Sequence, residues 1–339
     1  MPVRLSEIAE LAGVSISTVS RVLNDKPVVN AETRRLVLEA SDVLGYDRPA
    51  RLRVRTGGLV GLLVPELDNP FFARFARAVE HTLSRAGHVT VICSHTVGGT
   101  HEDEYVRVLL EQGVAGIVFA SGIHAVSGTE VERYRRLTRA GLPVVLVNGP
   151  LEGSGAAAVS TDDAVTMELA VRHLAHMGHR RIGLALGQGR YTTVARKEAA
   201  FVAAMRAHVD ADLAPGAIGT LVAHTMYSLE GGSLAAARLL DAGATAVVCA
   251  SDVMALGAVQ AARRRGVEVP RDLSVVGIDD SALMALTDPP LTTVRQPVEA
   301  LAAAGCHALL EQVGGAPAQT GEQLFASELV VRASTGPAR

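Results

Sequence analysis

From Leu59 to the C-terminal region, short apolar runs alternate with amphipathic stretches of helical period, and this alternation restricts the fold more than any other feature. The runs Leu59–Val64, Val89–Cys93, Gly116–Ala120, Val144–Val147, Ile182–Leu186, Ala246–Ala250 and Leu273–Ile278 have the length and composition of buried strands. Between them lie Phe71–Ala86, Glu102–Gln112, Asp163–Met177 and Val253–Arg265, with helical spacing of apolar residues. Strand–helix–strand repetition predicts parallel sheets covered by helices. Some 280 residues of it exceed one simple doubly wound sheet, so two α/β lobes are expected.

The first 46 residues read differently. Ser6 is placed to cap a first helix, with Glu7 and Glu10 near its positive end, and Gly13 breaks it. Ser15 caps a second, on which Val19, Val22 and Leu23 share one face and Ser17, Ser20, Arg21 and Asn24 the other. A third begins after Asn30, with an apolar stripe of Leu36, Val37, Ala40, Val43 and Leu44. Two short helices about a glycine turn, supported by a third, predict a helix-turn-helix. Short hydroxyls suit phosphates and an arginine suits a guanine edge. By periodicity alone, a small helical bundle with a polar surface fits as well.

Charge is uneven. Residues 1–56 carry nine Lys/Arg and seven Asp/Glu, whereas the rest has a net charge of −5. Arg48, Arg51, Arg53 and Arg55 crowd residues 47–58, a segment with Pro49 and Gly57-Gly58 that reads as a linker. A slightly basic head on an acidic body suits a local anionic partner. No run of about 18 apolar residues is present to span a membrane. Glu7 and Glu10 stand where a signal peptide needs an apolar stretch, so a cytoplasmic protein is expected. Cys93, Cys249 and Cys306 sit in apolar contexts and read as buried free thiols.

Parallel sheets collect ligands at strand C-terminal ends. That rule selects Asn69–Phe72, Ser121-Gly122, Asn148, Arg190–Lys197, Ser251-Asp252 and Asp279-Asp280. Polar groups mixed with Phe71, Phe72, Tyr191 and Tyr227 suit a sugar or a nucleobase-like molecule. Asp252 reads first as a cap for the helix after it, and of Phe71 and Phe72 one reads as core and one as a pocket wall. Asp279 reads as a ligand contact with no evident salt-bridge partner, or else as a cap for the Asp280-Ser281 turn. His173, His176 and His179 lack a matching Cys or carboxylate and read as structural, not as a metal site. His101-Glu102-Asp103-Glu104 reads as a helix start with acids on the dipole. Neither a Walker A nor a GxGxxG pattern occurs, and no Ser/His/Asp order stands out, so neither enzyme nor cofactor is expected.

The run "LSEIAELAGVSISTVSRVLNDKPVVNAETRRLVLEASDVLGY" closely resembles the DNA-binding head of the lac repressor (LacI/GalR) family. "VPELDNPFF", "GHRRIGLALG", "ASDVMALGAVQAARRRGVEVPRDLSVVGIDDS" and "LTTVRQP" resemble its sensor domain. The resemblance implies an all-α helix-turn-helix head (1–46), a hinge (47–58) and a periplasmic-binding-protein-like sensor of two parallel-sheet lobes (59–335). The first lobe would span about 59–160 and 292–322, the second 161–291 and 323–335. It implies operator contacts by Ser15, Ile16, Ser17, Thr18, Ser20, Arg21 and Asn24, with Ile16 touching a thymine methyl or filling the helix packing. Arg51, Leu52 and Arg53 would serve a hinge in which Leu52 either wedges into the minor groove or belongs to a plain linker, since the segment is about three residues shorter than the family pattern. Effector contacts would be Phe71, Phe72, Ser121, Asn148, Tyr227, Ser251, Asp279 and either Arg196 or Lys197, beside Tyr191. Asn148 stands where Asp is common, and Ser251 where Asn is usual. The function implied is a repressor acting as a homodimer on palindromic double-stranded DNA under control of a small molecule, sugar-like or a nucleobase. A solute-binding protein would need a secretion signal and no DNA head; a sugar-modifying enzyme would need paired acid/base residues.

Overall fold

The computed structural model describes residues 4–23, 26, 29–44, 46, 57–94, 101–212 and 214–339. The chain divides into two compact units, one of residues 1–58 with Arg85–Val89 and one of the remainder.

The head holds α1 (Leu5–Ala12), α2 (Ile16–Leu23) and α3 (Ala31–Val43). Helix α1 starts one residue before Ser6, which is therefore not its cap; Arg4 precedes it, and the Glu7 carboxylate takes the Arg4 N–H at 3.0 Å. Gly13 ends it in the left-handed conformation, φ 63°, which glycine adopts without Cβ strain. Ser15 Oγ accepts the Thr18 N–H (3.1 Å) and Asn30 Oδ1 that of Thr33 (2.7 Å), so both later helices carry side-chain caps. Ile8, Val19, Val22, Leu23, Val37 and Ala40 form the core. The stripe expected on α3 is narrower than its spacing suggested. Leu36 and Val43 lie exposed, because a three-helix unit this small covers only the centre of that face.

The larger unit contains two six-stranded sheets. In the first, β1 (Leu59–Val64), β2 (Val89–Ser94), β3 (Gly116–Ala120), β4 (Val144–Val147), β5 (Ala157–Thr161) and β11 (Glu322–Phe325) run in the order β11-β5-β4-β3-β1-β2. In the second, β6 (Ile182–Leu186), β7 (Val222–His224), β8 (Ala246–Cys249), β9 (Ser274–Asp279), β10 (Thr292–Arg295) and β12 (Glu328–Val330) run β12-β10-β9-β8-β6-β7. Apart from the β1–β2 edge, pairing is parallel except for β12, antiparallel on β10 at an edge. Strands β3, β4, β5, β6, β8 and β9 are buried throughout; β3, β4, β6 and β8 accordingly read as unbroken apolar runs, whereas Ser160 and Thr161 interrupt β5.

Around the sheets lie α4 (Pro70–Arg85), α5 (Glu102–Glu111), α6 (Val131–Arg139), α7 (Asp163–His176), α8 (Thr192–His208), α9 (Pro215–Gly219), α10 (Leu229–Asp241), α11 (Asp252–Arg264) and α12 (Val298–Val313). The chain crosses between lobes three times: from β5 to α7, from β10 to α12, and from β11 to β12. The sequence placed the second crossing before residue 292 and the third after 322. Strand β10 instead pairs with β9 in the second sheet, so the crossing follows Arg295, and β11 keeps the chain in the first sheet to Phe325. Because β5 and β10 each run into a crossing, the C-terminal ends of both parallel sheets face the crossings, the side on which such sheets collect ligands.

Candidate functional site

The strand ends carry a local signature. Ser121 (φ 51°), Asn148 (φ 60°), Asp279 (φ 124°) and Asp280 (φ 54°) are, among the described residues, the non-glycine positions with positive φ. Each lies at or just past the end of β3, β4 or β9. Such conformations are costly for L-residues and cluster where a site must hold groups in place.

In the second lobe the buried Asp279 carboxylate accepts Gln296 Nε2 at 2.6 Å. Burial and the neighbouring Asp252 carboxylate push its carboxyl well up; Gln296 and Lys197 oppose them. Lys197 lies beside Asp279 and Tyr227, with Nζ 2.6 Å from Asp163 Oδ1. Burial alone would lower its ammonium, but Asp163, Tyr227 and Asp279 outweigh burial and hold it above its ordinary value. The Tyr227 hydroxyl is raised by burial. Its ring lies over Gly187, just past β6, where any Cβ would fall inside the ring. The Arg190 guanidinium sits 5.1 Å above the Tyr191 ring and donates to its hydroxyl at 3.1 Å.

The adjacent basic residues of α8 separate cleanly. Among the described residues Lys197 bonds Asp163 alone and acts on Asp279 through its charge, whereas Arg196 spans the lobes, with Nη1 2.6 Å from Glu322 Oε1 on β11 and Nε 3.4 Å from Asp163 Oδ2. Asp279, expected to lack a cation, has Lys197 as a neighbour. The Asp280-Ser281 turn is held by Asp252, not by Asp279: Asp252 Oδ2 accepts the Ser281 N–H at 2.8 Å, and its Oδ1 accepts the Thr293 hydroxyl at 2.6 Å. Burial first pushes the Asp252 carboxyl up to about 6. The cap of α11 is Ser251, whose Oγ accepts the Met254 N–H at 3.2 Å, so the capping role expected of Asp252 falls to its neighbour. Asp280 differs again. Burial raises its carboxyl, but Arg332 (2.6 Å) and Arg295 (2.7 Å) more than offset that and hold it below the ordinary range.

Thr161 and Gln296, which sequence reasoning passed over, join the lobes. Asn148 Oδ1 accepts the Thr161 N–H (3.5 Å), the Thr161 hydroxyl donates to Gln296 Oε1 (2.6 Å), and Gln296 donates to Asp279. This chain of hydrogen bonds connects Asn148 to Asp279 through two crossings. Gln296 stands inside the quoted run "LTTVRQP", and Asp163 opens the helix after the first crossing, so position at a crossing was the available signal. A second link is the backbone bridge of Val126 to Tyr191, with Ser127 N–H donating to Arg190 O (2.7 Å) and the Thr192 hydroxyl to Ala125 O (3.2 Å). The loop carrying Val126 is pinned by the buried Glu102, which accepts the Ile123 N–H (3.0 Å) and the Tyr134 hydroxyl (2.7 Å). Glu102 is thus more than a charge on a helix dipole. Beside it, burial lowers the His124 imidazole to about 4.

Phe71 and Phe72 are both buried with Phe75, so neither ring is an open wall in this conformation. Ser121 and Asn148 remain half-buried. A cavity of about 340 Å³ lies between α5 and α6, lined by Val106, Leu110, Leu137 and Leu142 beside Arg133, and contains none of the strand-end residues. The strand ends are the better candidate, since polar groups converge there. His173, His176 and His179 bond separately, to Thr335, to the Arg172 carbonyl, and to Thr245 and Ser274. All three cysteines are free and buried.

On the head, Ser17, Ile16 and Arg21 are exposed on α2, opposite the buried Val19, Val22 and Leu23; Ser15, Ser17 and Thr18 hydroxyls are linked at 2.8 Å. Ser20 is half-buried. Asn24, Arg51, Leu52 and Arg53 lie outside the described residues. Among the described residues no helix is long and apolar enough to cross a membrane.

Comparison with known proteins agrees with both units. Residues 4–48 match the family described as bacterial regulatory proteins, lacI family, and residues 171–335 match a periplasmic binding protein-like domain. The HTH-type transcriptional regulator reg1 of Streptomyces lividans is 52% identical over 338 residues, covering 100% of this chain and 98% of that protein. The transcriptional regulator CelR in complex with cellobiose is 29% identical with a TM-score of 0.72, covering 98% of this chain and 99% of CelR. The lac repressor dimer bound to operator and the anti-inducer ONPF is 27% identical with a TM-score of 0.70, covering 99% and 100%. The chain therefore belongs to the lacI family of bacterial regulatory proteins, as a DNA-binding helix-turn-helix regulator of transcription, not an enzyme, with a two-lobed periplasmic-binding-protein-like body.

Proposed function

We propose that this regulator represses transcription as a homodimer on a palindromic operator and that a sugar held between its lobes sets its affinity for DNA. The observation that carries the sensing role is the convergence of Asp279, Lys197 and Tyr227 at the ends of the second sheet, tied through Gln296 and Thr161 to Asn148 of the first. A carboxylate that accepts two hydrogen bonds beside an ammonium with three donors suits vicinal hydroxyls, and a tyrosine ring suits the apolar face of a pyranose. The cellobiose held by CelR supports a sugar over a nucleobase.

In the head, residues 1–46 would read DNA through Ser17, Arg21 and Ile16, with Ser15, Thr18, Ser20 and Asn24 on phosphates, while residues 47–58 act as the hinge with Arg51, Leu52 and Arg53 near the duplex. A ligand that favours one angle between the lobes changes the population competent for DNA by its differential affinity for the two states. Two-fold protein symmetry would match two-fold operator symmetry.

Electrophoretic mobility shift with DNA flanking the gene, titrated with and without a panel of mono- and disaccharides, tests this reading. The expected result is a specific complex on a palindromic fragment whose stability at least one sugar changes tenfold or more. Equal affinity for that fragment and for random DNA, or indifference to every sugar tried, would refute it.

A further inference from the structure

We propose that the cleft admits uncharged polyols and rejects their phosphorylated forms, because Asp163 and Glu322 already neutralise Lys197 and Arg196. The inference rests on the sugar-sensing reading above and narrows it to a chemical class.

The argument is a count of charges at the strand ends. Lys197 Nζ is 2.6 Å from Asp163 Oδ1. Arg196 is 2.6 Å from Glu322 Oε1 and 3.4 Å from Asp163 Oδ2. Asp163 thus serves two cations and is itself nearly buried. Asp279 adds a further acid beside Lys197. On the loop after β1, Glu66 is half-buried, and its carboxyl is raised by burial and then by Asp68. Arg190 is exposed and engaged with the Tyr191 ring and hydroxyl, at the margin of the cleft.

A phosphate entering here meets an acid excess. To neutralise its charge on Lys197 it must draw the ammonium from Asp163, leaving that buried carboxylate only the longer contact to Arg196 Nε at 3.4 Å, a costly outcome for a buried ion pair. A hydroxyl makes no such demand. Asp163 uses one of the three Lys197 donors, and the others can be given to ligand oxygens while the pair stays intact. Asp163 therefore acts as the specificity-determining residue: it keeps the ammonium as a hydrogen-bond donor and cancels it as a charge.

The test is isothermal titration calorimetry of the full chain with matched pairs: glucose and glucose 6-phosphate, cellobiose and cellobiose 6′-phosphate, maltose and maltose 6′-phosphate. At least one neutral member should bind, and its phosphate at least tenfold more weakly. Asp163→Asn should move that ratio toward the phosphate by about tenfold or more, and Glu322→Gln, at a more accessible position, should move it in the same direction by less. A phosphate that binds as tightly as its neutral partner overturns the inference and leaves the sugar reading standing. Binding by neither member of any pair defeats the sugar reading and this inference with it. Should Asp163→Asn fail to fold, the pairs on the native chain still decide.

Discussion

Gln296 Nε2 donates to Asp279 Oδ1 at 2.6 Å, while Gln296 Oε1 accepts the Thr161 hydroxyl at 2.6 Å. One amide at the second crossing is thereby fixed between the end of β5 in one lobe and the end of β9 in the other. All three side chains are buried, so no water replaces a lost partner at low cost. Gln296→Ala should lower the unfolding free energy by about 1.5–3 kcal/mol, as for a hydrogen bond to a buried charged group, and should weaken effector binding as well. Urea denaturation and calorimetry on one preparation check it; a stability change under about 0.5 kcal/mol would show that the bond is made no better than its solvated alternative.

The Asp252–Asp279 pair predicts a pH dependence. Both carboxyls are raised in the folded chain: Asp252 by burial and then by Asp280, from 3.8 to about 6, and Asp279 by burial and then by Asp252. The folded state therefore holds these protons more tightly than the unfolded chain does. Their stabilising contribution is complete below about pH 4; that of Asp252 is lost as pH rises through about 6, and that of Asp279 as pH rises through its own raised value. Burial has the opposite effect on His124, His173 and His179, whose lowered values favour folding at higher pH. The informative quantity is thus a difference: Asp279→Asn, which cannot ionise, should gain stability relative to the native chain as pH rises from 5 to 8. Parallel urea midpoints at each pH measure it, and a constant gap between the two proteins would count against ionisation of the pair.

Arg196 and Lys197 should respond unequally to truncation. Lys197→Ala leaves the buried Asp163 and Asp279 without their nearest ammonium, a loss of about 3 kcal/mol or more. The Arg196–Glu322 pair is partly open to solvent, so Arg196→Ala should cost about 1 kcal/mol and act chiefly on the contact between lobes. Chemical denaturation ranks the two, and a larger loss for Arg196→Ala would reverse the assignment of the cleft cation.

The sequence made much of this architecture legible, and its failures have local causes. Buried parallel strands such as Gly116–Ala120 and Ile182–Leu186 are continuous apolar runs and announce themselves. Thr292–Arg295, Glu322–Phe325 and Glu328–Val330 are three or four residues long and partly polar; only long-range pairing makes them strands, and with them went the positions of two crossings. Arg196 and Lys197 lie about 100° apart on one helix, so no spacing rule could tell which faces Asp279. Ser251 and Asp252 both suit a helix start, and Thr293 and Ser281, far off in sequence, decide between them. Strand-end logic found Asp279 but not its partners, because Gln296 and Thr161 derive their roles from where the chain changes lobe.

Arg21 offers the sharpest test of the head. Its side chain is exposed on α2 beside the exposed Ser17, while Val19, Val22 and Leu23 hold the opposite face in the core. Truncation should therefore leave the fold of the head within about 0.5 kcal/mol of native, the usual range for a surface substitution away from caps and cores. An arginine that forks onto a guanine edge contributes about 1–3 kcal/mol of discrimination, whereas one that meets only phosphate weakens every duplex alike. Arg21→Ala is expected to bind the specific palindrome about 1–3 kcal/mol more weakly, to change little on random DNA, and to lose preference at one base pair of each half-site. Competition binding of native and variant protein, with the palindrome and with single-position substitutions of it, reads all three quantities at one salt concentration. Parallel losses on specific and random DNA would make Arg21 a phosphate contact and move base reading to Ser17 and Ile16.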